Sequence, residues 1–459
     1  MSTFVHKSVL ADLLTPVSAF LKVSNGSDRA FLLESVEGGE KVGRFSFIGI
    51  DPEESFRGSF ADFRSHFPQV RPPHSGLPPF TGGAVGAFCY DMVREVECLP
   101  DLPDRKGAPG ARGGPVLMDF YPTILAFDHV CHQIVIMSHQ GQEKICELEK
   151  KLRRPLGSLE LEIPGSLALD VLSPPDSDWV GAPNSNFPEG SFEATVESAK
   201  NYIRAGDIFQ VVLSQRFEAD FSGDPFNVYR ALRFVNPSPY MFFLKQDDLA
   251  IAGSSPEVLV RVQGRNLHYR PIAGTRRRGR DSAHEKHLEQ ELINDEKERA
   301  EHLMLVDLGR NDLGRVSDYG SVQVERYMFL EKYSHVMHLV SALKGKLRPE
   351  FDRFDALAAC FPAGTVTGAP KVRAMEIIEE LEPIHRGIYA GAIGYLDYSG
   401  NLDTGIAIRT IVLQGGKAYL QAGAGIVADS VPELENKECH NKAQALIRAL
   451  ELGQALGEI

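Results

Sequence analysis

The sequence predicts an α+β fold in which antiparallel sheets pack as a sandwich with helices on the outside. Short turns at Ser399-Gly400-Asn401 and Gly415-Gly416 separate apolar runs near the C-terminus, and connections this short join antiparallel strands. Amphipathic patterns over residues 294–308 and 432–452 predict two helices that each have one apolar side. Residues 155–190 are rich in Pro, Ser, Asp and Asn, which predicts a linker between two halves.

The N-terminal half alternates short apolar runs with Gly- and Pro-rich turns. Residues 45–49 and 134–137 predict strands, and residues 143–152 predict a short helix. We place a domain boundary near residue 185, which gives an N-terminal domain of residues 1–185 and a C-terminal domain of residues 186–459.

Beyond the linker, a helix is predicted over residues 192–205, and Gly206 ends it. Strands are then predicted at residues 208–217, 391–396, 405–413 and 417–422.

Arg409 lies in the predicted strand of residues 405–413, on the same face as Ala407 and Ile411. An arginine between apolar neighbours needs an anion. A bound ligand and a structural salt bridge both meet that need, and the sequence leaves the two interpretations open.

The first of two carboxylate-bearing helices is predicted over residues 294–308, with Asn294 as its N-cap. Glu298 and Glu301 fall on the same side as Leu305, so both carboxylates should point inward.

The second such helix is predicted over residues 432–452, with Ser430 as its cap and Gly453 as its stop. Glu435 and Glu438 again fall on the apolar side.

Four inward carboxylates would concentrate negative charge in a medium of low dielectric, which is costly unless a cation lies among them. Oxygen ligands without matched His or Cys favour Mg²⁺ over a transition metal. The alternative is that these residues are ordinary solvated charges, since Glu is rarely buried.

Two glycine-rich segments predict places where a ligand can approach the backbone. Residues 362–371 lead into a helix and offer N–H groups and Thr hydroxyls to an anion. Gly423-Ala424-Gly425 follows at the end of the last strand. Each could also be an ordinary turn.

His338 is a candidate acid/base or a core histidine. Residues 333–341 alternate like a strand, so His335 and His338 should point to opposite faces and cannot bind one metal ion.

The composition is that of an ordinary globular chain. It has 459 residues, of which 43% are hydrophobic, and a net charge of -13, which argues against nucleic acid as a partner. The six cysteines lack C-x-x-C spacing, and the sequence has no apolar run long enough to span a membrane. These features predict a cytoplasmic protein with reduced thiols and no membrane partner.

Several motifs, taken together and in order, resemble the chorismate-utilising enzymes. The resemblance covers residues 190–455 and extends to Leu32-Leu33-Glu34-Ser35 and residues 80–86. The motifs are Pro271-Ile272-Ala273-Gly274-Thr275, Glu298-Arg299-Ala300-Glu301-His302, residues 307–313, residues 362–371, Ala407-Ile408-Arg409-Thr410, Gly423-Ala424-Gly425 and Asn441-Lys442-Ala443.

The resemblance implies an N-terminal regulatory half, a C-terminal chorismate-binding half, and Mg²⁺ that holds the ring carboxylate of chorismate. Glu301 and Glu438 would be direct metal ligands, and Glu298 and Glu435 would hold metal-bound water or complete the shell.

The resemblance also implies how the substrate is bound. His338, Thr365 and Glu298 would be catalytic, with His338 as the general acid for the departing ring hydroxyl. The substrate-binding residues would be Gly274, Thr275, Tyr389, Arg409, Gly423, Ala424, Gly425 and Lys442.

Two positions distinguish members of this family. Ala273 stands where members that make 4-amino-4-deoxychorismate commonly carry a nucleophilic Lys, and Gln210 stands where members that add water carry a Lys base. The resemblance therefore implies that ammonia is added to give anthranilate, in tryptophan biosynthesis. An aminodeoxychorismate-forming enzyme and an inactive chorismate-binding paralogue are the alternatives.

Two partners are implied besides chorismate. None of the cysteines lies in the tight Gly-rich turn of a glutaminase nucleophile, so ammonia would come from a separate glutamine amidotransferase subunit. L-Tryptophan would be a feedback inhibitor that binds where Leu32-Leu33-Glu34-Ser35 meets residues 236–241, with Ser35, Pro239, Tyr240 and Met241 as its contacts.

Overall fold

The computed structural model describes residues 4–35, 43–68, 76–100, 107–111, 113–155, 183–333 and 336–456. Its helices are α1 (Pro16–Ser24), α2 (Phe60–His66), α3 (Gln142–Arg153), α4 (Ser191–Ala205), α5 (Pro225–Val235), α6 (Ser282–Asn294), α7 (Glu296–Gly314), α8 (Arg353–Cys360), α9 (Lys371–Leu381) and α10 (Pro432–Ala455).

The larger sheet has twelve strands within the described residues, and its neighbouring strands are antiparallel. In spatial order they are β1 (Val5–Leu10), β8 (Gln133–Ser138), β7 (Thr123–Asp128), β3 (Phe45–Ile50), β2 (Arg29–Glu34), β11 (Tyr240–Gln246), β12 (Leu249–Ser255), β21 (Thr410–Gln414), β22 (Lys417–Ile426), β10 (Gln210–Asp220) and β18 (Gly368–Ala369), and β9 (Asn184–Ser185) also pairs with β10.

The smaller sheet has ten strands within the same ranges and is also antiparallel. In spatial order they are β15 (Ile272–Arg277), β17 (Val336–Lys346), β14 (Asn266–Tyr269), β13 (Val258–Gln263), β20 (Leu402–Ile406), β19 (Ala392–Asp397), β5 (Gly83–Phe88), β6 (Val116–Tyr121) and β4 (Glu54–Gly58), and β16 (Gln323–Lys332) also pairs with β17.

The two sheets pack face to face around an aromatic core, which confirms the predicted α+β sandwich. Phe80 stacks on Tyr395 with ring centroids 4.4 Å apart, and Phe31 meets Tyr121 edge to face at 4.7 Å. Both contacts join residues of one buried cluster that draws on both sheets. Helices α1, α3, α5 and α10 cover the outer face of the larger sheet, while α7 and α8 cover that of the smaller one.

Most predicted elements are present. Strands β3 and β8, helix α3 and helix α4 agree with the predictions, and Gly206 ends α4 in the left-handed region at φ 86°. The predicted strand of residues 208–217 begins at Gln210 instead.

The predicted strand of residues 405–413 is wrong. Strand β20 ends at Ile406 in the smaller sheet, and β21 begins at Thr410 in the larger sheet. The chain therefore changes sheets at residues 407–409, and the C-terminal strands are divided between the two sheets. An apolar run does not reveal this crossing, because both strands are buried.

Strands from both sides of residue 185 contribute to both sheets. The proposed domains, residues 1–185 and 186–459, therefore share their sheets, and their boundary as a functional division stays a prediction. Residues 156–182 of the predicted linker lie outside the described ranges.

Two further predictions concern surface and redox chemistry. Across the described ranges, no helix is long and apolar enough to cross a membrane. The cysteines are free thiols, of which Cys89, Cys360 and Cys439 are buried.

Candidate active site

A cavity of about 550 Å³ brings together most of the predicted site residues. Its walls come from β10, β15, β22, α7, α10 and the loop that precedes α9. Among its lining residues are Gly274, Thr275, Glu298, Glu301, Thr365, Tyr389, Arg409, Gly423, Gly425, Glu435, Glu438 and Lys442.

Helix α7 carries the first carboxylate pair into this cavity. Asp295, not Asn294, is its N-cap: Asp295 Oδ1 accepts from the backbone N–H groups of Lys297 at 3.0 Å and Glu298 at 3.1 Å. The prediction of Asn294 as the N-cap was wrong because α6 extends to that residue, so α7 can start only after it.

Helix α10 carries the second pair. Ser430 does not cap it, because Ser430 Oγ accepts from the backbone N–H of Val427 at 3.0 Å. Gly453 does not stop it either, since the helix continues to Ala455. A Cβ on Gly453 would lie 2.8 Å from Val228, so this glycine allows α10 to pack closely on α5.

The four carboxylates differ in their partners. Glu438 pairs with Lys442 at 2.6 Å, and Glu298 pairs with Arg276 at 3.2 Å. Glu301 accepts from Gln210 Nε2 at 3.3 Å, which is a weak, neutral contact. Burial raises the pKa of Glu301, and the negative charge of Glu298 raises it further. The charges of Lys297 and Lys442 oppose this rise, so Glu301 is a desolvated carboxylate that a further positive charge would stabilise.

These carboxylates fit a hard divalent cation by their chemistry. Each offers carboxylate oxygens as metal ligands, and a positive charge would stabilise Glu301. The described residues nevertheless contain no group of three or more His, Cys, Asp or Glu already arranged around one point. Lys442 and Arg276 hold two of the carboxylates instead.

Arg409 reaches the cavity from the sheet crossing and not from a strand. Its backbone is in the left-handed region at φ 51°, and its Nη1 donates to the backbone O of Lys442 at 2.9 Å. Burial lowers the pKa of Arg409. The prediction that Arg409 lies on a strand was wrong. Arg409 nevertheless lines the cavity, where an anion would compensate the cost of burying its charge.

The glycines of β22 allow close contact across the cavity wall. A Cβ on Gly423 would lie 2.9 Å from Tyr389 Oη, and a Cβ on Gly425 would lie 2.7 Å from Gln210 Nε2. Ala424 is fully buried among the apolar residues behind the sheet, so its side chain does not line the cavity. Its predicted contact with substrate could therefore come only from its backbone.

His338 is half-buried and lies next to two lining residues of the cavity. Its Nδ1 is 3.0 Å from Thr275 Oγ1 and 3.1 Å from the backbone O of Gly274. Strand pairing of β15 with β17 sets Thr275 opposite His338. The cavity lining includes Gly274 and Thr275 but not His338, so a direct contact with substrate stays a prediction. His335 lies outside the described residues.

Glu257 is a candidate functional residue that the sequence reasoning missed. It is 5% exposed, and its Oε2 accepts from Thr365 Oγ1 at 3.1 Å. Burial raises the pKa of Glu257 to about 8. The available signal was an acidic residue directly before the apolar run of residues 258–260, where a solvated charge is unexpected.

A second cavity of about 70 Å³ contains the predicted inhibitor contacts. Strands β2 and β11 pair so that Glu34 lies opposite Met241, which brings Ser35 and residues 239–241 together. Ser35 Oγ is buried and has no hydrogen-bond partner among the described residues.

The polar end of this cavity is formed by three paired side chains. Tyr240 Oη donates to Asp403 Oδ1 at 2.9 Å, and Arg261 donates to Tyr240 Oη at 3.0 Å and pairs with Asp403 at 2.7 Å.

Comparisons with known proteins agree on one family. A curated relative, anthranilate synthase component 1 of Acetivibrio thermocellus, is 47% identical over 97% of this chain and 95% of that protein. The crystal structure of anthranilate synthase component I from Streptococcus pneumoniae matches with a TM-score of 0.78 and 37% identity, covering 95% of this chain and 98% of that one. The menaquinone-specific isochorismate synthase of Escherichia coli shares the fold at 20% identity, with a TM-score of 0.72 over 98% of this chain and 95% of that one.

The family model for chorismate binding enzymes matches residues 28–448, which is most of the chain. The residues that line the larger cavity all lie within this match. The protein belongs to the family of chorismate binding enzymes.

Proposed function

We propose that this protein converts chorismate and ammonia into anthranilate and pyruvate, the first step of tryptophan biosynthesis. The observation that carries the proposal is the 47% identity to a curated anthranilate synthase component 1 over nearly the whole length of both chains. The cavity supports it, because its lining combines carboxylates with cations, as binding a metal ion and a dianionic substrate requires.

The cations of the cavity would bind the carboxylates of chorismate. Arg409 and Lys442 line the same cavity as Tyr389, whose hydroxyl can donate a further hydrogen bond. Lys442 Nζ also donates to the backbone O of Gly423 at 3.0 Å, which fixes the ammonium group beside β22. Gly274, Thr275 and Thr365 would line the ring.

Mg²⁺ would be held by Glu301 and Glu438, with Glu298 and Glu435 completing the shell. When bound, the ion would neutralise the ring carboxylate of chorismate. To receive it, Glu438 must release Lys442 and Glu298 must release Arg276. Lys442, which lines the cavity, would then be available to oppose the charge of the substrate, whereas Arg276 would keep its ion pairs with Glu291 and Asp295.

We propose Glu257 and His338 as candidate proton donors for the departing ring hydroxyl. A carboxyl whose pKa is about 8 stays protonated at neutral pH. Thr365 donates to Glu257 in the structure, so delivery of the proton would reverse this bond: Thr365 would give its hydroxyl proton to the leaving group and take the proton of the Glu257 carboxyl. His338 reaches it through Thr275. After ammonia adds to the ring, loss of a ring proton and of pyruvate restores aromaticity.

Ammonia is the expected nucleophile because the cavity lacks the lysines that the alternatives need. Ala273 cannot attack the ring, and Gln210, which lines the cavity, cannot act as a base toward water. A separate glutamine amidotransferase subunit would supply the ammonia.

The 70 Å³ cavity is the proposed site for feedback inhibition by L-tryptophan. Ser35 Oγ could bond the ligand without breaking an existing contact, and Pro239, Tyr240 and Met241 would provide apolar walls. Ligand binding there can affect catalysis because residues 403–409 run from this cavity to the larger one.

The test is product formation by the purified chain from chorismate and an ammonium salt at alkaline pH, with and without Mg²⁺. Anthranilate, measured by its fluorescence, and pyruvate should form in equal amounts, and only when Mg²⁺ is present. Formation of 4-amino-4-deoxychorismate or isochorismate would contradict the proposal, and a chain that binds chorismate without consuming it would be an inactive paralogue.

A further inference from the structure

A fully buried ion pair lies directly behind the cavity wall. Arg386 and Glu382 are each 3% exposed, and neither lines the cavity itself. Arg386 Nε donates to Glu382 Oε2 at 2.9 Å, and its Nη2 donates to Oε1 at 2.6 Å. This parallel geometry is that of a bidentate arginine–carboxylate pair.

The rest of the guanidinium joins two walls of the cavity. Arg386 Nη1 donates to the backbone O of Val366 at 2.7 Å, and Nη2 donates to the backbone O of Val212 at 2.7 Å. Val212 lies on β10, and Val366 follows Thr365 in the loop before α9. Both valines line the cavity. Arg386 therefore adds a side-chain link between this strand and this loop to the backbone hydrogen bonds that join β10 to residues 367–369.

Glu382 extends the network to a third wall. Its Oε1 accepts from the backbone N–H of Ser214 at 2.8 Å and from Ser214 Oγ at 2.9 Å. Ser214 Oγ in turn accepts from Gln421 Nε2 at 2.9 Å. Gln421 lies on β22 and lines the cavity.

Tyr389 adds a fourth contact. Its ring centroid is 5.7 Å from the guanidinium carbon of Arg386, and Tyr389 lines the cavity. A cation at this distance from an aromatic ring is attracted to its face.

The cost of this arrangement indicates a role beyond stability. Burying two charges costs several kcal/mol per ion, so that an apolar pair of similar volume is often as stable. The planar guanidinium can reach two carbonyls and a carboxylate at once, whereas the ammonium of lysine cannot match that geometry.

We propose that Arg386 is a positioning residue that holds Val212, Val366, Gln421 and Tyr389 at the distances that chorismate binding requires. This inference rests on the proposed function, because it assigns the shared cavity to chorismate.

The test compares Arg386→Lys with a matched control, Arg353→Lys. Arg353 is also 3% exposed and donates to backbone carbonyls, those of Asp397 and Asn401, but these residues do not line the cavity. Both variants should lose thermal stability. Only Arg386→Lys should weaken chorismate binding, measured by titration calorimetry with Mg²⁺ present, and raise KM, each by ~10- to 100-fold.

A milder variant keeps the proposal testable if Arg386→Lys does not fold. Ser214→Ala removes the hydroxyl between Glu382 and Gln421 but keeps the ion pair, so it should raise KM by a few-fold, roughly, with little change in Tm. The proposal would be overturned if folded Arg386→Lys bound chorismate as tightly as the wild type does. If Arg386→Lys does not fold, wild-type affinity in Ser214→Ala would overturn it. Wild-type protein that binds chorismate but forms no anthranilate would contradict the proposed function, while the variants' affinities would still test Arg386.

Discussion

The two cavities of this protein are built in different ways. The smaller one, of about 70 Å³, lies against regular strands, where the ladder of β2 and β11 sets which side chains meet. The larger one, of about 550 Å³, lies where the backbone leaves regular geometry: Gly274 has φ 64° and Arg409 has φ 51°. Its charges come from α7, α10 and the sheet crossing. The smaller cavity is therefore a product of strand register, and the larger one a product of irregular backbone and helix ends.

This difference leads to opposite expectations for substitution. Changes in the larger cavity should abolish activity, because we propose that its groups contact the substrate. Changes in the smaller cavity should leave activity intact and alter only its regulation.

The largest expected effect is the loss of a proton donor. Glu257→Gln keeps the shape and the hydrogen bond to Thr365 but cannot donate a proton, so kcat should fall by ~10²- to 10⁴-fold. Thermal stability should not fall, because the buried carboxyl is replaced by a neutral amide. At a constant concentration of free ammonia, wild-type activity should also decline above about pH 8, where Glu257 loses its proton.

His338→Ala is the companion measurement. If His338 is the general acid, His338→Ala will lower kcat by more than Glu257→Gln does, and Glu257→Gln will keep most of its turnover. The opposite result would assign the proton to Glu257 and leave His338 to orient Thr275.

A smaller loss of activity is expected from substitution of a proposed metal ligand. Glu301→Gln removes a ligand charge while nearly keeping its shape, so activity at limiting Mg²⁺ should fall by ~100-fold, and part of it should return at high Mg²⁺. Glu433→Gln is the control, since Glu433 is exposed on the same helix as Glu438 and does not line the cavity. Equal activity of Glu301→Gln and wild type would remove Glu301 from the site.

The third prediction concerns the smaller cavity. Ser35→Phe should fill it and leave an active enzyme, with turnover unchanged and inhibition by L-tryptophan weakened by ~5- to 150-fold, the range typical of coupling between sites. Inhibition curves at fixed chorismate measure this. Ser399→Phe, at a turn outside this cavity, controls for added bulk. Unchanged inhibition in Ser35→Phe would place the regulatory site elsewhere.

The smallest expected effect is on stability against pH. The pKa of Glu257 rises from 4.5 to about 8 on folding, so the folded state binds more protons than the unfolded state between these values. Stability therefore falls as pH rises through this window, and Glu257→Gln lacks that loss. The Tm of the wild type relative to the variant should fall from about pH 4.5 to 8; a constant difference would mean that Glu257 titrates normally.

The sequence was most informative where residues follow a regular period. Helical spacing predicted that the carboxylates of α7 and α10 point inward, and all four line one cavity, although the Glu438 side chain is 47% exposed. The contacts of the smaller cavity were implied by the family resemblance, and they do lie together. The resemblance to the chorismate-utilising enzymes supplied the roles that spacing alone could not.

The errors share one physical cause, which is that tertiary contacts override local signals. Gly453 looks like a helix stop but packs against Val228, and the run of residues 405–413 looks like one strand but is divided between two sheets. The contacts of Arg386 with Val212 and Val366 could not be predicted from the sequence, because both valines contribute only backbone oxygens.

The most direct test of the proposed function supplies chorismate and ¹⁵N-labelled ammonium to the purified protein with Mg²⁺, and identifies the products by mass spectrometry and NMR. We expect anthranilate that carries the label on its amino group, together with an equal amount of pyruvate. Labelled 4-amino-4-deoxychorismate, or unlabelled isochorismate, would contradict it.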